Sequence, residues 1–81
     1  MSSRNFARAF VRETGVTPGA YVESVRVERA RIALETSAAP VEVAARECGF
    51  GTVETMRRAF HRRLGVGPAA YRERFSPVLA A

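Results

Sequence analysis

Arginine is the residue type through which this chain could do chemistry, and its placement is uneven. The 81 residues hold thirteen arginines, no lysine and eight glutamates, for a formal charge of +5. Arg4, Arg8 and Arg12 recur at steps of four, and Arg57, Arg58, Arg62 and Arg63 form a second block. Steps of four bring side chains to one side of a helix. A guanidinium is a rigid fork of donors that fits a phosphate, or the O6 and N7 of guanine, with two hydrogen bonds. Two such blocks on a basic chain point to a polyanion, with nucleic acid foremost. Abundant alanine and a single isoleucine, Ile32, also fit coding biased to G and C. Position rather than number therefore carries the inference.

Other chemistries find little support. The one cysteine, Cys48, and the one histidine, His61, are the only candidates for a nucleophile and base. Cys48 falls on a predicted packing face beside a glycine turn, where a small core thiol is the simpler reading. His61 has no second ligand at useful spacing, so no metal is expected. The glycines stand singly as helix stops rather than in a phosphate-binding loop, and no cofactor is expected. A single cysteine makes no internal disulfide and is compatible with a reducing compartment. No apolar run approaches the roughly 18 residues that span a bilayer, and the N-terminus lacks the blocks of a signal peptide.

The elements that must place these arginines are helices. Apolar residues recur at three- and four-residue steps, and glycine and proline act as punctuation. Sliding the chain on itself by fifty residues exposes a repeat. Arg8-Ala9-Phe10, Arg12, Gly15-Val16, Pro18, Ala20-Tyr21 and Glu23 fall on Arg58-Ala59-Phe60, Arg62, Gly65-Val66, Pro68, Ala70-Tyr71 and Glu73. That is ten identities in sixteen positions, and two copies of one supersecondary unit explain it better than chance. In the later copy the shared block follows a short helix from Pro40 ended by Gly49. Its counterpart would lie before Met1, so the earlier copy reads as starting in the middle.

Caps and periodicity predict helices over about 3–14 (Ser2 as cap, Gly15 as stop), 18–35 (Thr17 and Pro18), 40–48, 53–64 (Thr52) and 68–75 (Pro68). On the 53–64 helix Met56, Ala59, Phe60 and Leu64 share one side, with Val53 at its margin. Glu54, Arg58, His61 and Arg62 share the other. Val41, Ala44, Ala45 and Cys48 offer the preceding helix a small apolar side for close crossing, with Phe50 as plug of the Gly49-Phe50-Gly51 connection. A helix pair of this kind can seat its second helix in the major groove. The helix start then lies nearest the bases, which singles out Glu54, Arg57 and Arg58, with Thr52 and its neighbouring N–H groups toward phosphate. Glu54 could equally offset the positive end of the helix dipole, and Thr52 could act as a cap alone. Arg62 and Arg63 read as phosphate-facing or solvated. The helix over 18–35 is apolar on two sides, Tyr21, Val25 and Ile32 on one and Val27, Ala30 and Leu34 on another, as a connector with two partners would be.

Gly49-Phe50, Phe60, Gly65-Val66, Pro68 and Tyr71-Arg72 together resemble the signature of AraC-type transcriptional regulators, from Met1 to about Arg74. The resemblance implies two helix-turn-helix units joined by a long helix, with two recognition helices entering successive segments of the major groove. It places Arg4, Ala7 and Arg8 at base-reading positions of the first recognition helix, and Glu54, Arg57 and Arg58 at those of the second. Ala7 departs from a polar pattern and could offer only a methyl contact to thymine. Domains of this type run to about a hundred residues, which implies that about twenty precede Met1.

The expected architecture is all-α and homeodomain-like helix-turn-helix. Residues 1–17 are a remnant of the first unit, 18–36 a linker helix, 37–75 a complete second unit and 76–81 a frayed tail. The expected function is sequence-specific binding of double-stranded DNA by a cytoplasmic, nucleoid-associated bacterial regulator, with no enzymatic activity and no membrane partner. The rival reading is a fragment that docks on another regulator through apolar helix faces. Phe6 and Phe10 would be its docking residues, and independently of that rival their loss of a partner helix is expected to favour self-association.

Overall fold

A computed structural model describes residues 8, 9, 11, 12 and 15–76, and these hold helices and turns without a strand. Residues 8, 9, 11 and 12 are helical. Four further helices follow: α1 (Pro18–Thr36), α2 (Val41–Glu47), α3 (Val53–Leu64) and α4 (Pro68–Phe75). Each lies within one residue of its expected bounds. Pro40 and Cys48, expected as the ends of one helix, are instead the flanking caps of α2.

The repeat is visible in the cap geometry. Gly15 and Gly65 both take a left-handed conformation, φ +79° and +77°, and donate their N–H groups to Val11 and His61. Pro18 and Pro68 then open α1 and α4 at the first helical turn, where a missing N–H costs nothing. Thr17 caps α1 by accepting from the Ala20 N–H at 3.1 Å. The two copies part company in packing: Tyr71 is buried, whereas Tyr21 is 49% exposed.

α1 packs against α2, α3 and α4 and is the spine of the core. Val27, Ala30 and Leu34 are its buried face. They meet Ala44, Ala45, Cys48, Phe50, Met56, Ala59, Phe60 and Tyr71. Val25 and Ile32, on its other side, remain exposed, as a helix with two apolar sides leaves them when one side is covered. Alanines at 30, 44, 45 and 59 let the backbones approach closely, and the large rings fill what remains. Phe60 meets Tyr71 edge-on, with centroids 5.9 Å apart, an arrangement that aligns ring edge with ring face.

Tyr71 also carries a polar bridge. Its hydroxyl donates to Glu35 at 2.7 Å and accepts from Arg31 Nε at 3.0 Å. Burial, followed by the bond to Glu35, pushes its phenol up. The neighbouring Arg72 is buried and reaches the end of α1, donating to the carbonyls of Leu34 at 3.4 Å and Ser37 at 3.3 Å. The last carbonyls of a helix have no partner within it. Arg72→Met, which keeps the apolar stem but removes the donors, is expected to cost about 1–3 kcal/mol, the penalty of a buried acceptor left unpaired. A chemical denaturation midpoint reads it. An unchanged midpoint would show that water replaces the guanidinium freely.

The expected tail needs one correction. Ser76 is only 2% exposed, because its N–H closes α4 onto the Arg72 carbonyl at 2.9 Å and draws the residue into the packed end of the helix. Residues 77–81 lie outside the described residues.

Candidate nucleic-acid interface

The candidate interface is built from α2, the turn after it, and α3. Gly49 and Gly51 both have positive φ, +93° and +84°, a region that L side chains rarely enter. Two left-handed residues around the buried Phe50 turn the chain sharply. The Phe50 and Gly51 N–H groups both bond to the Ala45 carbonyl, at 2.9 and 3.2 Å. Thr52 then opens α3: its hydroxyl accepts from the Thr55 N–H at 3.1 Å. The start of α3 is therefore capped, with Thr52, Glu54 and Thr55 exposed.

Met56, Ala59 and Phe60 anchor the inner side of α3. Glu54, Arg57, Arg58, His61 and Arg62 are all exposed on the outer side. Residues 54, 58 and 62 form one row, about 12 Å long at 1.5 Å per residue. Within it Glu54 holds two arginines of its own helix, Arg57 at 2.7 Å and Arg58 at 3.4 Å. Exposed pairs of this kind contribute little net stability. Both arginines can thus leave Glu54 for a stronger acceptor at small cost.

Arg62 is held differently. Its guanidinium makes two bonds to the Glu23 carboxylate of α1, at 3.1 and 2.6 Å. Arg63 donates to the same carboxylate at 2.9 Å and to the Ala20 carbonyl at 2.6 Å. The Arg62 bond is the main reason that the Glu23 carboxyl titrates below the usual carboxylate range. A depressed carboxylate stabilises the fold above its unfolded pKa, and that contribution disappears as pH falls through the depressed value.

Of the residues expected to read DNA, Thr52, Glu54, Arg57, Arg58 and Arg62 come together along α3. Arg8 is exposed on the helical stretch before Gly15. Arg4 and Ala7 lie outside the described residues, as do Phe6 and Phe10. Glu23 and Ala20 stood in the sequence only as members of the repeat, and nothing there marked them as partners of Arg62 and Arg63. Cys48 is buried, and desolvation pushes its thiol up, which disfavours the nucleophilic thiolate. Among the described residues no group of three or more metal-ligating side chains could hold an ion. Nor is any helix there long and apolar enough to cross a membrane.

A family model described as a helix-turn-helix domain matches residues 1–74. The chain belongs to the AraC-type helix-turn-helix family. The chain is similar to the HTH-type transcriptional regulator Rv1931c of Mycobacterium tuberculosis, 51% identical over 76 residues, 94% of this chain and 29% of that protein. It is also similar to the RCS-specific HTH-type transcriptional activator RclR of Escherichia coli, 34% identical over 74 residues, 91% of this chain and 26% of that one. The chain thus spans less than a third of the length of either regulator. Among solved structures, the DNA-binding domain of AdpA, a global transcriptional factor crystallised with a target DNA, is similar with a TM-score of 0.88 and 41% identity. The match covers 93% of this chain and 68% of that one. The all-helical AraC-type fold expected from the residues is therefore the fold observed.

Proposed function

We propose that this chain is the DNA-binding part of a transcription regulator and reads the major groove of a duplex with the first two turns of α3. The observation that carries this is the exposed start of α3, with Glu54, Arg57 and Arg58 on its outer side, in a fold shared with a domain crystallised on its target DNA. Thr52 and the free N–H groups behind it meet a phosphate. Arg57 and Arg58 exchange Glu54 for base edges or backbone, and Glu54 is left to accept from a cytosine amine. Arg8, with Arg4 and Ala7, belongs to a second reading head one repeat earlier. The work is recognition without catalysis, at the nucleoid in the cytoplasm.

Fluorescence anisotropy with a labelled duplex tests the reading. Affinity for arbitrary sequence is expected near 10⁻⁴–10⁻⁶ M at physiological salt, about the non-specific range, and should fall steeply as salt rises. Binding that is missing at low salt, or indifferent to salt, would refute it.

A further inference from the structure

The recognition helix carries more positive charge than it presents. Arg62 continues the row begun by Glu54 and Arg58, and the row is about as long as the major groove is wide, both roughly 12 Å. A helix laid across the groove would bring the end of this row to a groove wall, where the phosphates are. At that end stand two arginines, and both are turned back onto α1: Arg62 by a two-bond grip on Glu23, Arg63 by Glu23 and the Ala20 carbonyl.

This grip differs in kind from the Glu54 pairs. Glu54 meets residues three and four positions along its own helix, and its side chain is 53% exposed. Glu23 meets residues 39 and 40 positions away, across two packed helices, and its side chain is 24% exposed. Tertiary structure sets the position of Glu23, so moving Arg62, itself 60% exposed, or Arg63 onto a phosphate means breaking bonds that join two helices. The repeat supplies an internal contrast. Glu73 occupies the position equivalent to Glu23, is exposed, and has no ion pair among the described residues.

We propose that Glu23 is a specificity-determining residue that withholds Arg62 and Arg63 from the DNA backbone. Charge that reaches phosphate raises affinity for every sequence alike. By clamping two cations at the end of the reading row, Glu23 lowers this indiscriminate share and leaves discrimination to Arg57 and Arg58. The same clamp fixes the rotation of α1 relative to α3. The inference rests on the DNA-binding reading above.

The test is the salt dependence of binding to a random-sequence 20-base-pair duplex, measured by anisotropy with the full chain. Each phosphate newly neutralised adds about 0.9 to the slope of log affinity against log salt. Glu23→Gln should therefore steepen the slope by about 1–2. Glu73→Gln removes the same charge and should leave the slope at the wild-type value. Arg62→Ala with Arg63→Ala should not change the wild-type slope, but should abolish the steepening when combined with Glu23→Gln. Equal slopes for Glu23→Gln and Glu73→Gln would overturn the proposal. So would a slope lowered by about 2 in the arginine double variant of the wild type, since those arginines would then already sit on phosphate. That arm reads the outcome even if Glu23→Gln folds poorly. Loss of all binding by the wild type at low salt is a separate result, and it refutes the DNA-binding reading itself.

Discussion

Phe60→Ala is expected to unfold most of the chain at 37 °C. The ring is fully buried, and truncating a buried phenylalanine costs about 3–5 kcal/mol. A domain this small has only about 5–15 kcal/mol in hand and belongs at the lower end of that range. The loss spreads because Phe60 lies where α1 to α4 meet, against Tyr71 of α4 and in one cluster with the core side chains of α1 and α2. Circular dichroism should show helicity falling across the chain together, not in α3 alone. A melt that leaves α1 and α4 intact would show that α3 docks onto a core able to stand without it.

Arg58→Ala should damage recognition while sparing the fold. Its side chain is 69% exposed and touches the rest of the molecule chiefly through Glu54, so the melting temperature should hold. If it reads a guanine, the preferred site loses about 1–3 kcal/mol of discrimination, or roughly 5- to 150-fold, while arbitrary duplex loses far less. Selection of sites from a random pool, followed by competition against an unselected duplex, measures both. An equal loss on both duplexes would make Arg58 a phosphate contact. The sequence marks this residue because the same arginine recurs as Arg8, one repeat earlier.

What the sequence showed plainly was whatever depends on neighbours a few positions apart. Thr52 before an apolar run, Gly65 followed by Pro68, and the apolar side of Met56, Ala59 and Phe60 are local signals, and each is where the structure has it. The pairing of Glu54 with Arg57 and Arg58 has the same short range. Glu23 with Arg62, Arg72 with the end of α1, and the buried Ser76 are of another kind. Each depends on how helices about 35–40 residues apart in the chain cross, or on the packed end that the crossing makes. No periodicity encodes that crossing, so an arginine that looked free for phosphate is held by a glutamate on another helix. Arg72 shows the converse. It stood out as part of a family pattern, but its role as donor to the carbonyls of Leu34 and Ser37 emerges only once α1 and α4 are side by side.

The place of α1 in the core decides where this protein can be cut and joined. By sequence the boundary at 36 and 37 invites division into a connector and a helix-turn-helix unit. Val27, Ala30 and Leu34 nevertheless form part of the floor on which Phe60 and Tyr71 rest. A chimera that inherits only the residues after Ser37 would carry α3 with its reading face intact and its support gone. A module that keeps this core therefore has to include α1, and recombination that preserves the packing of α3 has to exchange the connecting helix together with the unit behind it.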